Sequence, residues 1–127
     1  VGNKKNLIAL RSASDFDSLR KNGKYFHPVQ WLLVNYIPNE IGEVRCAWTI
    51  SRNVGNAVVR NRLRRWGREF LRPWLSNRAL TRSNRQPCGL DFNLIFKKRD
   101  KEFYRELDHA ELDQVLRKVV SRFEQLI

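Results

Sequence analysis

The sequence predicts an α+β domain in which helices pack on one mostly antiparallel sheet. Three patterns point there. Glu43–Ser51 and Leu90–Lys97 alternate apolar and polar residues, Val29–Tyr36 is an almost unbroken β-rich apolar run, and two longer stretches repeat apolar residues at helical spacing. With 127 residues the chain is long enough for one domain and too short for two, so 1–127 is expected to form a single unit with a flexible tail at 1–6.

Taken in order, Ser12-Ala-Ser-Asp15 has the spacing of a capping box. Behind it, Phe16 and Leu19 share one side of a short helix over Ala13–Asn22, and Gly23 suits the left-handed residue that closes such a helix. Val29–Tyr36 reads as a strand covered on both faces. A turn over residues 38–42 leads into Glu43–Ser51, whose Val44, Cys46, Trp48 and Ile50 share one face; so short a connection predicts an antiparallel hairpin. Val54–Arg72 reads as a helix with Asn56 as N-cap and Pro73 as its stop. Residues 76–86 are polar and basic and read as a loop or irregular helical connection. Leu90, Phe92, Leu94 and Phe96 form the apolar face of a third strand. Asp108-His-Ala-Glu111 is a second capping-box pattern, followed by Leu112, Val115, Leu116, Val119, Val120 and Phe123 on one stripe of a C-terminal helix.

Charge narrows the function. Lys and Arg number 25 against 13 acidic residues, a net charge of +12. An excess of one sign on so small a domain favours a polyanion over a merely solubilising surface, which mixed signs serve better. No run approaches the roughly 20 apolar residues that cross a bilayer, so no membrane role is expected. The basic start, Val1–Asn6, leads into no apolar stretch and reads as no secretory signal, which makes a cytoplasmic location the expectation. Cys46 and Cys88 lie far apart and outside any Cys-x-x-Cys pair, so zinc has no support; Cys46 reads as a small core residue.

The second helical stretch carries the chemistry. At about 100° per residue, Val59, Leu63, Trp66 and Phe70 gather in one sector. Arg60, Arg64 and Arg68 stack beside them, Asn61, Arg65 and Arg72 extend the polar arc, Arg62 stands at its edge, and Glu69 is the only acid. Like charges at i,i+4 destabilise a helix by a few tenths of a kcal/mol per pair, so the pattern asks for an external anion. Guanidinium forks bind phosphate through paired hydrogen bonds and stack on bases.

The segment Ser51-Arg-Asn-Val-Gly-Asn-Ala-Val-Val-Arg-Asn-Arg-Leu-Arg-Arg65, followed by Arg68-Glu69, closely resembles the signature of the bacterial ribonuclease P protein. The likeness continues in Asp15-Phe16 with Leu19 and Gly23, and in Asp91-Phe92 before an apolar run and Lys97-Lys98, so it covers most of the chain. It implies an α/β sandwich like domain 2 of ribosomal protein S5, with a left-handed βαβ crossover. It also implies a protein subunit of an endoribonuclease that removes the 5′ leader of precursor tRNA, with catalysis and Mg²⁺ belonging to RNA and substrate. No catalytic residue, firmly held metal or obligatory protein partner is then expected of the protein. On this resemblance Arg52, Asn56, Arg60, Asn61, Arg62, Arg64, Arg65 and Arg68 contact the catalytic RNA. A shallow cleft between first helix and sheet holds single-stranded leader, with Phe16, Arg20, Leu32, Val34, Tyr36 and Lys97 as candidate lining and Ala47, Thr49, Asn93 and Ile95 as neighbours. The chain departs from the family pattern at Ala9-Leu10, where Arg-Leu is common. It departs again at Arg20, often aromatic, at Arg52-Asn53, usually two lysines, and at Gly67, usually large and apolar.

A self-sufficient nuclease is the first rival. Metal-dependent nucleases cluster carboxylates. Here Asp15, Asp17, Glu40, Glu43, Asp91 and Asp100 are scattered, and His27 and His109 stand alone and read as surface residues. A structural ribosomal-type RNA-binding protein with no part in cleavage is the second. It shares the basic helix but does not explain the whole Ser51–Arg68 pattern.

Overall fold

The computed structural model of the chain describes residues 7–81 and 89–126. The elements are β1 (Ile8–Ala9), α1 (Ala13–Asn22), β2 (Lys24–Val29), β3 (Leu32–Asn39), β4 (Val44–Thr49), α2 (Ala57–Thr81), β5 (Gly89–Phe96), α3 (Phe103–Glu106) and α4 (His109–Leu126). One five-stranded sheet runs β1-β4-β5-β3-β2. The longest ladder, β3–β5, is antiparallel, as is β2–β3; β4 pairs parallel with β5 and with β1. The α+β class is as expected. β4–α2–β5 is the βαβ unit, joining two parallel neighbours across the sheet's middle. The reading of 1–6 as a flexible tail, and those of residues 82–88, lie outside the described residues.

The two faces of the sheet differ in kind. On one, Leu32, Val34 and Tyr36 of β3, Val44 and Cys46 of β4, and Leu90, Phe92, Leu94 and Phe96 of β5 join the buried residues of α2 and α4 in one apolar cluster. All six apolar residues read for the C-terminal helix are buried there. Phe123 is its hub, 4.8 Å from the Phe92 ring centroid and 5.7 Å from that of Tyr36. Burial pushes the Cys46 thiol well above the ordinary range, so it behaves as an inert core residue.

The opposite face carries α1 and is held by polar groups together with a small apolar cluster of Leu10, Leu19 and Ala47. The registers align Arg45, Asp91 and Ile37 in one row, Ala47, Asn93 and Asn35 in the next, and Thr49, Ile95 and Leu33 in the third. Arg45 grips Asp91 with two bonds of 2.8 and 2.7 Å and reaches Asp15 of α1 at 3.2 Å. Asn39 donates a further bond of 2.7 Å to Asp91. Asn35 donates to the Leu19 carbonyl at 2.9 Å, closing the C-terminus of α1. The hydrogen bonds that Arg45 donates to Asp91 hold its guanidinium above its ordinary value, against the opposing effect of its burial.

Several local expectations are corrected. The apolar run 29–36 is two strands: Val29 ends β2, and β3 begins at Leu32. The hairpin is β2–β3, while β3 and β4 are separated by β5. β2 was missed because His27 and Pro28 break its pattern; Pro is tolerated there because β2 is an edge strand. Pro73 does not stop the helix, and of the two readings left open for residues 76–86, loop or irregular helical connection, residues 76–81 are helix continuous with α2. Buried Leu71 and Leu75 anchor the chain on both sides of Pro73, which itself faces solvent, where water can satisfy the carbonyl its ring cannot bond. Ser12 caps α1 through the Ser14 N–H at 3.2 Å, and Asp15 serves Arg45 instead of completing a capping box. Gly23 is extended, not left-handed. Its lack of a side chain is spatial, since a Cβ there would lie 2.4 Å from the Leu19 carbonyl oxygen and 2.6 Å from Asn35 Nδ2.

Arg45→Met leaves the buried Asp91 carboxylate without its cation. It should lower unfolding free energy by about 3–5 kcal/mol, read from urea midpoints; a loss under about 1 kcal/mol would refute the clamp. Gly67 poses a question of sign. A Cβ there would sit 2.2 Å from the Trp48 ring. Gly67→Ala gains about 1 kcal/mol of helix propensity but forces overlap costing about 1–3 kcal/mol. Net destabilisation is expected, shrinking in a Trp48→Leu background; a plain gain in stability would count against the contact.

Candidate nucleic-acid interface

The chain enters α2 through a tight turn after β4. The Val54 N–H bonds the Ser51 carbonyl at 3.0 Å, Val54 is buried, and the Asn56 side chain accepts the Val59 N–H at 3.0 Å. Asn56 is thus the N-cap, as its residue type predicts. The first turn of α2 holds no acid, so the positive end of the helix dipole is not offset there.

The inward row of α2 is Val59, Leu63, Gly67, Leu71 and Leu75, every fourth residue and all buried. Trp66 and Phe70 flank this row half-buried, and the Trp48 indole of β4 lies over Gly67. The departure at Gly67 therefore has a packing reason: the large side chain comes from the sheet, and the helix makes room.

On the outer side Asn61, Arg65, Arg68, Glu69 and Arg72 are exposed, with Arg52 exposed in the preceding turn. Arg60 and Arg64 are half-buried and steadied from within: Arg60 Nε donates to the Gly55 carbonyl at 3.1 Å and Arg64 Nη1 to Asn61 Oδ1 at 3.1 Å. Each keeps further N–H groups for a ligand, since guanidinium carries five. Arg65 lies 3.9 Å from Glu69, and among the described residues no other carboxylate pairs with an arginine of α2. A helix face with this many guanidiniums and one loosely held acid is suited to a row of phosphates.

Arg62 stands apart from its neighbours. Its Nη2 donates to the carbonyls of Tyr104 and Arg105 at 2.8 and 2.9 Å, and its guanidinium lies 4.9 Å from the Trp66 ring centroid. It ties α3 to α2, so the geometry removes it from the free arc in which the sequence grouped it. On the far seam His109 stacks on Trp66 at 4.8 Å, with its Nε2 3.6 Å from Glu69 and 3.7 Å from Asp113. Sequence read His109 as solitary; the fold makes it part of the α2–α4 contact.

The cleft residues divide. Leu32, Val34 and Tyr36 are buried in the main core and line no cleft. Their neighbours of opposite parity, Leu33, Ile95 and Thr49, form the part of the α1 face left partly open. Period 2 groups Leu32, Val34 and Tyr36 correctly, but the run is apolar on both faces and sequence alone cannot say which faces α4. Phe16 is half-buried against the cluster of Leu10, Leu19 and Ala47, as is Ile37. Arg20 is exposed and ion-paired with Asp17; Lys97 is exposed at the end of β5. Phe16 and Arg20 both belong to α1, which packs on the sheet face that bears the open strip.

The Ribonuclease P family profile matches residues 5–124. A ribonuclease P protein component of Petrotoga mobilis is 28% identical over 115 residues, spanning 91% of this chain and 90% of its own. That of Citrifermentans bemidjiense is 42% identical over 69 residues, 54% of this chain and 52% of its own. An RNase P protein structure from Thermotoga maritima, in complex with 1-(4-fluorophenyl)-2-thiourea, superposes with a TM-score of 0.70 at 25% identity, covering 89% of this chain and 97% of that one. The Staphylococcus aureus RNase P protein, at 19% identity and a TM-score of 0.63 over 91% of this chain and 94% of that one, shares the fold.

The two kinds of arginine should separate in unfolding experiments. Arg62→Ala strands two carbonyls and should destabilise by about 1–3 kcal/mol, whereas the exposed Arg68→Ala should stay within about 0.5 kcal/mol. Equal losses by urea denaturation would erase the distinction.

Proposed function

The chain belongs to the ribonuclease P protein family, and from that premise we propose that it is the protein subunit of ribonuclease P, binding the catalytic RNA through α2 and the 5′ leader of precursor tRNA beside α1. The observation that carries this reading is the outer face of α2, where Arg65, Arg68 and Arg72 are exposed with one acid among them. Arg60 and Arg64, oriented by Gly55 and Asn61, add donors whose direction is already set, which lowers the ordering cost of binding. The strip of Leu33, Ile95 and Thr49 beside α1 is mild and partly apolar, the character expected of a seat for unpaired nucleotides.

The proposed division of labour follows from donor chemistry. A guanidinium surface has no oxygen ligands for a hard cation such as Mg²⁺. Asp15 of α1 and Asp91 of the strand beneath it are both engaged by Arg45, and Asp17 of α1 by Arg20. Mg²⁺ and the cleavage step are therefore assigned to RNA and substrate, and the protein's part is to neutralise phosphate repulsion and hold the leader.

Reconstitution with ribonuclease P RNA tests this. The protein should lower the Mg²⁺ concentration needed for cleavage and bind precursor tRNA more tightly with its leader than without. Arg65→Ala and Arg68→Ala should each weaken RNA binding by about 1–3 kcal/mol, with affinity falling steeply as salt rises. RNA binding with no effect on cleavage would instead leave a structural RNA-binding role, and accurate cleavage by the protein alone would overturn the assignment.

A further inference from the structure

We propose that the exposed ring of Tyr25, beside the C-terminal end of α1, is a stacking platform for one base of the single-stranded 5′ leader; this rests on the leader reading above and adds a residue to it. Tyr25 is 48% exposed, and among the described residues it is the only exposed aromatic. The other rings have occupations inside the fold. Trp31 packs with Phe96, Phe103 and Tyr104; Phe26 packs with Tyr36 and Phe123; Trp66 has Arg62 and His109; Trp48 covers Gly67. No ring or cation among the described residues covers Tyr25.

Its placement favours a nucleotide. The register sets Tyr25 opposite Asn35, so its ring stands on the α1 face of the sheet, the face that bears the open strip of Leu33, Ile95 and Thr49. Its hydroxyl donates to the Arg20 carbonyl at 3.2 Å, which fixes the ring before any ligand arrives. Arg20, Lys21 and Lys24 are exposed close by in the chain, and Asp17 is the one acid paired among them. A steadied aromatic face amid cations is the arrangement that holds unpaired nucleic acid, the ring taking a base and the cations the flanking phosphates. Burial does not account for the ring, because it stands on an edge strand with half its surface in water.

The test uses the reconstituted holoenzyme and compares affinity for precursor tRNA with and without its leader. Tyr25→Ala and Tyr25→Leu should weaken binding of the leader-bearing substrate roughly tenfold, the scale of one base–aromatic stack, and leave the leaderless one unchanged. Tyr25→Phe, which keeps the ring and loses only the bond to Arg20, should stay within about threefold. Replacing leader nucleotides one at a time with abasic residues should find one position at which Tyr25→Leu causes no additional loss. Retention of the full leader advantage by Tyr25→Ala and Tyr25→Leu overturns this inference alone. A loss in Tyr25→Phe equal to that in Tyr25→Leu overturns stacking in favour of the hydroxyl. Equal affinity of the unsubstituted protein for both substrates overturns the leader reading and this inference together.

Discussion

The buried row Val59–Leu63–Gly67–Leu71–Leu75 is the constraint from which the rest follows. A row repeating every four residues drifts slowly around a helix of 3.6 residues per turn. It therefore winds as a shallow spiral, about 40° per step, that keeps α2 packed from Val59 to Leu75, and the outer arc is what that spiral leaves uncovered. Arg65, Arg68 and Arg72 face solvent because their neighbours cannot. The absence of a side chain at Gly67 lets the Trp48 indole lie against the helix. This exchanges some helix propensity for a large ring packed from the strand, and it fixes how α2 sits over β4. The basic face is thus a consequence of core packing and holds its aim without a ligand.

The opposite face of the sheet obeys a different rule. Three of its positions, Asn35, Asp91 and Asn93, are the buried polar residues of the described structure, and each has a hydrogen-bond partner. A buried carboxylate is tolerated only when paired and well bonded, and Arg45 with Asn39 meets that condition for Asp91. Docking α1 through such groups confines it to the two rows where they stand. The third row, Leu33–Ile95–Thr49, has no counterpart on α1 and stays partly open. Phe16 and Leu19 add an apolar contact with Leu10 and Ala47, so the covered part of this face is polar and apolar together, and the strip lies outside it.

Legibility in the sequence tracked how much of each decision was local. Ala13–Asn22 and the stripe from Leu112 to Phe123 were readable because caps and periodicity reside in neighbouring residues. Asn56 as a cap, and Arg65, Arg68 and Arg72 as an outward arc, were readable for the same reason. The order of strands was not, because β5 lies between β3 and β4 yet follows both in the chain, after a 25-residue helix. The parity of β3 was equally hidden: Leu32 and Leu33 are the same residue type, and only the positions of α4 and α1 decide which is core. Asp91 and Asn93 read as the polar side of a half-exposed strand, whereas Arg45 and Thr49 satisfy them in the interior.

The arginine-rich motif shows why a pattern of residue types understates its parts. Arg62 and Arg65 are one helical turn apart and look alike in the sequence. One donates both of its described bonds to carbonyls of the chain, and the other is exposed with a loose pair at 3.9 Å. The two Nη2 donors that Arg62 gives to Tyr104 and Arg105 cannot serve a phosphate without loosening α3 from α2, which leaves Arg62 fewer free donors than its exposed neighbours. A guanidinium already in water has no such bond to lose, and its release of counterions on meeting RNA is net gain. RNA affinity is therefore expected to concentrate in the outer arc, while Arg62 secures the support beneath it. The order in which the motif tolerates substitution should follow the partners each arginine has in the free protein more than its place in the motif.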